Sequence, residues 1–346
     1  MGERMDKIVR VGLVGCGGMG HEHLKILARK PGVQIVGVCD HRPERALRMG
    51  AEHQARAWTD YAAFLDEAAP NVVHICSPSG YHADQGIMAA ERGVHILCEK
   101  PLDVDIQKVD RLIDLCDRRG VRLGCIFQKR MSAAMRAVQK AIADGRMGAI
   151  ISCGIYVKWW RPQEYYTKDT WKGTWMLDGG AFANQGIHSL DLMVWMAGPV
   201  EEVEYAHLDT VAHTMEAEDF GIVVVRFASG ARGTIEITTC CRPDLVTRLE
   251  IYGVNGSAAF DDARVTHFGL DGRDMLPTLQ DRGTLTGGGS DPWAIDLSGH
   301  QAQIDDFYSA LAEDRPPLVD GREARLSIDL LTKIYARARP GVKLGT

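Results

Sequence analysis

The stretch that most constrains the fold is "KIVRVGLVGCGGMGHEHLKILARK". Residues 7–15 are rich in Val and Ile and read as a buried strand, and residues 21–30 have helical spacing. Between them lies Gly15-Cys16-Gly17-Gly18-Met19-Gly20, a G-x-G-x-x-G loop. Gly15 permits a tight turn, Gly17 lets the main chain approach a pyrophosphate, and Gly20 lets helix pack on strand. The helix start offers free N–H groups and the positive end of its dipole to phosphates. The next strand, "VQIVGVCD", ends at Asp40, placed to bind a ribose hydroxyl and to repel a 2′-phosphate. That favours NAD; nearby Arg42 keeps NADP open.

Three further strand-like runs follow at 71–78, 94–101 and 121–127, separated by helical segments at 82–93 and 104–120. Alternation of this kind predicts a doubly wound parallel sheet of the Rossmann type, whose ligands bind beyond the carboxyl ends of its strands. Ser77, Pro78, His82, Glu99, Lys100 and Gln128 lie at or near those ends and join Gly15, Gly17, Gly18, Met19, Gly20, Asp40 and Arg42 as candidate cofactor-binding residues.

Past residue 127 the pattern changes. Runs at 149–160, 200–211, 220–230, 231–241 and 247–256, with turn signals Ser229-Gly230 and Asn255-Gly256, predict a large, open, mostly antiparallel sheet in an α+β domain. The expected division is a nucleotide-binding domain at 1–127 and a substrate and oligomerisation domain at 128–346.

"AFANQGIHSLDLMVWMAG" (181–198) reads as one helix stopped by Gly198-Pro199. At 100° per residue it places Asn184, His188 and Asp191 on one polar face, beside an apolar face of Ile187, Leu190, Val194 and Ala197. Before it, "KWWRPQEYYTKDTWKGTWMLDGG" gathers Trp159, Trp160, Trp171 and Trp175 with Tyr165 and Tyr166. Aromatic faces suit the C–H faces of sugars, and Arg161, Lys168 and Lys172 suit an anionic group. Trp159, Arg161, Tyr166, Trp171 and Trp175 are therefore candidate substrate contacts. The same residues also suit a core or a subunit interface.

Net charge is −6 without a long basic run, which argues against nucleic acid and anionic membranes as partners. The N-terminus lacks a long apolar segment, and nine scattered cysteines without a C-x-x-C pair suit a reduced, cytoplasmic chain. His21 with His23, and His74 with His82, lack partners at metal-ligand spacing, so no metal site is expected.

"GLVGCGGMGHEHL", "SPSGYHADQGIMAAERGVHILCEKPL" and "GGAFANQGIHSLDLMVWMAG" together resemble the Gfo/Idh/MocA oxidoreductases, and "GHQAQIDDFYSAL" and "GREARLSIDLLTKIY" extend the likeness. The resemblance implies NAD(P)-dependent oxidation of a CH–OH group in a sugar, sugar derivative or cyclitol, by a homo-oligomer (dimer or tetramer). It gives catalytic roles to Lys100, in the Glu-Lys-Pro turn, and to His188. Asp191 would orient the His188 ring, and Pro101 would hold the Lys100 turn, often through a cis peptide. Many inositol-dehydrogenase-like members carry aspartate where this chain has Asn184, which points to sugars or nucleotide sugars. A glycosidase with transient oxidation, a redox-neutral sugar oxidoreductase and a non-catalytic nucleotide sensor share the scaffold. Lys100 and the G-x-H-x-x-D helix favour the dehydrogenase.

Overall fold

The computed structural model describes residues 8–283 and 297–339. The chain forms two compact units: residues up to Ile126 with Gln303–Glu323, and Phe127–Ala302 with residues from Ala324 onward. Sequence reasoning expected a single boundary at 127. The return of Gln303–Glu323 to the first unit is the difference.

The first unit holds a parallel sheet in the order β3-β2-β1-β4-β5-β6. Its strands are β1 (Val9–Val14), β2 (Val33–Cys39), β3 (Arg56–Trp58), β4 (Val72–Ile75), β5 (His95–Cys98) and β6 (Leu123–Cys125). The first expected strand began at Lys7, which lies outside the described residues. Connecting helices are α1 (Gly18–Leu27), α2 (Pro43–His53), α3 (Tyr61–Ala68), α4 (His82–Glu91) and α5 (Ile106–Arg119). β4 is buried at every position, as a sheet covered on both faces requires. α5 shows how local sequence sets its ends: Asp105 accepts the Gln107 N–H at one, and Gly120 turns left-handed (φ 65°) at the other.

The second unit holds an eight-stranded sheet. Its strands are β7 (Ile150–Lys158), β8 (Val200–Asp209), β9 (Phe220–Phe227), β10 (Arg232–Thr238), β11 (Arg248–Gly253), β12 (Gly256–Asp261), β13 (Arg264–Leu270) and β14 (Arg273–Asp274). All pairings are antiparallel except β7 with β10, which run parallel at its centre. Its helices are α6 (Ala133–Ala143), α7 (Gln163–Thr167), α8 (Ala181–Asn184) and α9 (Ile187–Ala197). Two longer helices, α10 (Ser298–Glu313) and α11 (Gly321–Ala338), complete the described chain. One sheet face buries Ile155, Val223, Val225, Ile235, Ile237, Leu249 and Ile251. On the other, Ile222, Glu236, Tyr156 and Arg248 pair in one row across four strands, and Ile222 is exposed.

The helix expected over 181–198 is two helices. The Gly186 N–H bonds to the Ala181 carbonyl, a wide π-type turn, before α9 starts. Gly186 permits this corner because a Cβ there would meet Ile237 Cδ1 at 2.4 Å. The wide turn falls between Asn184 and His188, so the even spacing of one polar face does not hold. α9 is buried almost all round, with only His188 and Trp195 partly exposed, so Asp191 points into the interior rather than along a polar stripe.

Candidate active site

In the first unit the glycine loop has the expected construction. Gly15 adopts φ +94°, and a Cβ there would meet the Cys76 carbonyl carbon at 2.4 Å. A Cβ on Gly20 would meet the Gly15 oxygen at 2.1 Å. A Cβ on Gly17 would meet no atom within 4 Å, so the space beside it is open. Gly17 caps α1 without a side-chain bond, and the first turn, which contains Gly18, Met19 and Gly20, holds no acidic residue. These N–H groups and this dipole end fit the pyrophosphate of a dinucleotide.

Asp40, at the end of β2, is buried. Its Oδ2 accepts the Cys16 N–H at 2.8 Å and its Oδ1 accepts the Arg42 N–H at 2.9 Å. The carboxylate therefore holds the glycine loop in place. Burial, reinforced by Asp40, pushes the Cys16 thiol up to about 12, so it stays neutral. Arg42 sits half-buried at the N-cap of α2.

Two turns follow β4 and β5. The Ser77 hydroxyl donates to Gln85 Oε1 at 2.6 Å, and Pro78 leads into a short 3-10 turn. His82 is buried, with Nε2 2.8 Å from the Ser77 carbonyl and Nδ1 2.6 Å from the Pro101 carbonyl. It staples the two turns together. The Lys100–Pro101 peptide is cis. Glu99 is buried, and its Oε2 accepts the Lys100 main-chain N–H at 3.2 Å. Lys100 itself is half-buried. Gln128 opens a 3-10 turn of the second unit.

In the second unit, Asn184 donates its amide to Asp178 Oδ1 at 2.5 Å, and Asp178 Oδ2 accepts the Gly173 N–H at 2.7 Å. Asp178 thus orients Asn184. His188 is half-buried and meets the Phe127 ring edge-on at 5.8 Å. Asp191 is held by Arg130 Nε and Nη2 at 2.8 and 2.7 Å, and the guanidinium also lies 5.3 Å from the Trp195 ring. Arg130 carried no sequence signal, because its partner is 61 residues away.

The aromatic segment divides. Tyr166 is core: it is buried, and its hydroxyl is engaged with Thr239 at 2.8 Å. Trp159 donates its indole N–H to Thr247. Arg161 is buried, its guanidinium 5.2 Å from the Trp159 ring and 5.4 Å from the Tyr165 ring. Lys172 lies 4.0 Å from the Tyr165 ring and 5.8 Å from Trp171. Trp171 and Trp175 are half-buried, and Trp175 meets Tyr335 edge-on.

Among the described residues two clusters of metal-ligating residue types form, His21 with Glu52 and His53, and His213 with Asp219 and Cys240. In the second, Asp219 Oδ2 already accepts from the Ala212 and His213 N–H groups and lies 2.9 Å from His213 Nδ1, while Nε2 faces the Arg161 carbonyl. This is a closed hydrogen-bonded lock beneath the Arg161 loop. No helix among the described residues is long and apolar enough to cross a membrane.

A Rossmann sheet with an open glycine loop and an acid ending β2, joined to a mixed α+β unit, defines a dinucleotide-dependent oxidoreductase. The profile of the oxidoreductase family with an NAD-binding Rossmann fold matches residues 9–127, and that of the GFO/IDH/MocA C-terminal domain matches residues 135–259. The chain belongs to the Gfo/Idh/MocA family and is an NAD-binding oxidoreductase. It is similar to the WlbA dehydrogenase of Bordetella pertussis, solved with NADH and UDP-GlcNAcA. Identity is 34%, coverage 97% of this chain and 98% of that one, and TM-score 0.85. It is also similar to the WlbA dehydrogenase of Chromobacterium violaceum, solved with the same two ligands, at 30% identity, 98% and 96% coverage and TM-score 0.86. Myo-inositol 2-dehydrogenase of Thermotoga maritima is 26% identical over 75% of this chain and 77% of that protein.

Proposed function

We propose that this chain is a dehydrogenase for a nucleotide-linked sugar acid, oxidising one secondary hydroxyl with NAD. The observation that carries the substrate class is the likeness, at 34% identity over 97% of the chain, to a dehydrogenase holding NADH and UDP-GlcNAcA. The chemistry of the second unit agrees with it. Arg161 and Lys172, stacked among Trp159, Tyr165 and Trp171, supply fixed positive charge and aromatic faces, which suit a carboxylate or diphosphate on a sugar. Asn184 in place of an aspartate suits the same class.

The glycine loop and Asp40 would hold NAD, which when bound would supply the hydride acceptor. Lys100 takes the hydroxyl proton, and a desolvated lysine has its pKa lowered toward that task. His188 is the second proton-handling group, Asn184 positions the hydroxyl, and Arg161, Trp171 and Trp175 bind the sugar acid. Asp191 acts on the position of α9 through Arg130. The enzyme works as a homo-oligomer, dimer or tetramer, in the cytoplasm. The open sheet face around Tyr156, Ile222 and Tyr252 and nine cysteines without a disulfide support that reading.

The test is NADH formation with NAD or NADP against UDP-GlcNAcA, other nucleotide sugars, free uronates, aldoses and cyclitols. Signal confined to the nucleotide sugar acids is expected. Turnover of cyclitols alone overturns the substrate class, and cofactor retention without turnover of any of them supports a redox-neutral reaction instead.

A further inference from the structure

A polar chain crosses the core of the first unit. Glu99 Oε1 lies 3.1 Å from His23 Nε2, His23 Nδ1 lies 2.8 Å from His74 Nδ1, and His74 Nε2 lies 3.1 Å from the Tyr308 hydroxyl. His23 and His74 are wholly buried, and Glu99 and Tyr308 are 6% and 7% exposed. The surroundings are apolar: Leu13, Leu24, Leu97, Ile304 and Phe307 belong to the same core. His74 stands in the middle of β4, between Val73 and Ile75. Apolar residues fill such a core at less cost, so four polar groups in a line call for a use.

The geometry leaves two arrangements in which both imidazole rings are neutral. Only one proton fits between the facing Nδ1 atoms. If His74 carries it, His74 Nε2 accepts from the Tyr308 hydroxyl, and His23 Nε2–H donates to a Glu99 carboxylate. If His23 carries it, its bare Nε2 accepts from a Glu99 carboxylic acid, and His74 Nε2–H donates to the Tyr308 oxygen. The two arrangements differ by one proton on Glu99. Burial, with His23 alongside, holds His74 well below the usual histidine range, and burial keeps the Tyr308 phenol protonated, so neither group traps the charge.

We propose that Glu99, His23, His74 and Tyr308 form a proton path through which Glu99, next to Lys100, exchanges its proton with solvent at the Tyr308 end. Inward, a water proton binds the Tyr308 oxygen while each member passes its own proton on, and Glu99 gains one. Outward, every transfer reverses. Lys30 lies 5.2 Å from the Tyr308 ring and pairs with Asp305, whose side chain is 46% exposed. Cys76 beside Glu99 stays a thiol, because burial raises it far above its usual range. During oxidation the substrate proton arrives at Lys100 as Glu99 releases one through Tyr308, so the local charge is conserved. This role rests on the reading of Lys100 as the proton acceptor.

The test has two arms. In the NAD-bound protein, histidine 15N shifts are expected to show opposite neutral tautomers for His23 and His74; identical tautomers, or two charged rings, overturn the path whatever the substrate proves to be. In rapid mixing with an oxidised substrate and an indicator dye, wild type is expected to release its proton in step with NADH. Tyr308→Phe is expected to slow proton release by about tenfold or more, with KM and NAD affinity unchanged. Proton release by Tyr308→Phe still in step with NADH overturns the path.

Discussion

Arg130 and Asp191 form a two-point ion pair inside the second unit, their side chains 3% and 1% exposed. Removing one partner leaves a buried charge uncompensated. Arg130→Met is expected to lose about 3–5 kcal/mol of stability, read from urea unfolding. The double variant Arg130→Met with Asp191→Leu is expected to recover most of it, because no charge is left buried. A double variant as unstable as the single one contradicts this account of α9.

Gly17 and Gly20 separate ligand binding from folding. A Cβ on Gly20 strikes the Gly15 oxygen, so Gly20→Ala is expected to lower the melting temperature even without cofactor. A Cβ on Gly17 enters open space, so Gly17→Ala is expected to keep the wild-type melting temperature and to weaken NAD binding. Calorimetry of both variants with and without NAD checks the pair.

Asp40 holds the loop through both oxygens, and the proposed preference for NAD rests on its charge. Asp40→Asn keeps an acceptor for the loop and removes the repulsion toward a 2′-phosphate. The ratio of NADP to NAD use is expected to rise by at least about tenfold, measured as kcat/KM for each cofactor.

The His213–Asp219 lock predicts an alkaline weakness. Burial opposes charge on His213, but hydrogen bonds to Asp219, Cys240 and the Arg161 carbonyl outweigh it and raise the ring from 6.5 to about 10. Burial likewise opposes the Asp219 carboxylate, but His213 and the N–H groups of 211–213 outweigh it and hold it below its usual range. Stabilisation from His213 is complete below pH 6.5 and is lost as pH rises through about 10. Stabilisation from Asp219 is present above pH 3.8 and is lost as pH falls toward its lowered folded value. Wild type is therefore expected to lose stability between pH 7 and 10, and His213→Gln to be weaker at pH 7 but flatter over that range. Equal alkaline slopes contradict the assignment.

The glycine loop and the Glu-Lys-Pro turn were legible in the sequence because each is a contiguous motif, and Asp40 because it directly follows the apolar run of β2. The parallel sheet was legible because fully buried strands read as apolar runs. β3, at three residues, is too short to show a period. What escaped depends on distant partners: Arg130 for Asp191, Thr239 for Tyr166, and Tyr308 for His74, 234 residues away. The break at Gly186 escaped because glycine within a helical pattern does not reveal how close the sheet comes. The return of Gln303–Glu323 to the first unit escaped because an amphipathic helix does not name the sheet it covers.

The most direct measurement of the central claim follows NADH formation from NAD and UDP-GlcNAcA by wild type and Lys100→Met, with NAD binding measured in parallel. The account predicts turnover by wild type, and by the variant NAD affinity near wild type with turnover abolished. Wild-type rates from Lys100→Met, or no NADH from wild type with any nucleotide sugar acid, contradict it.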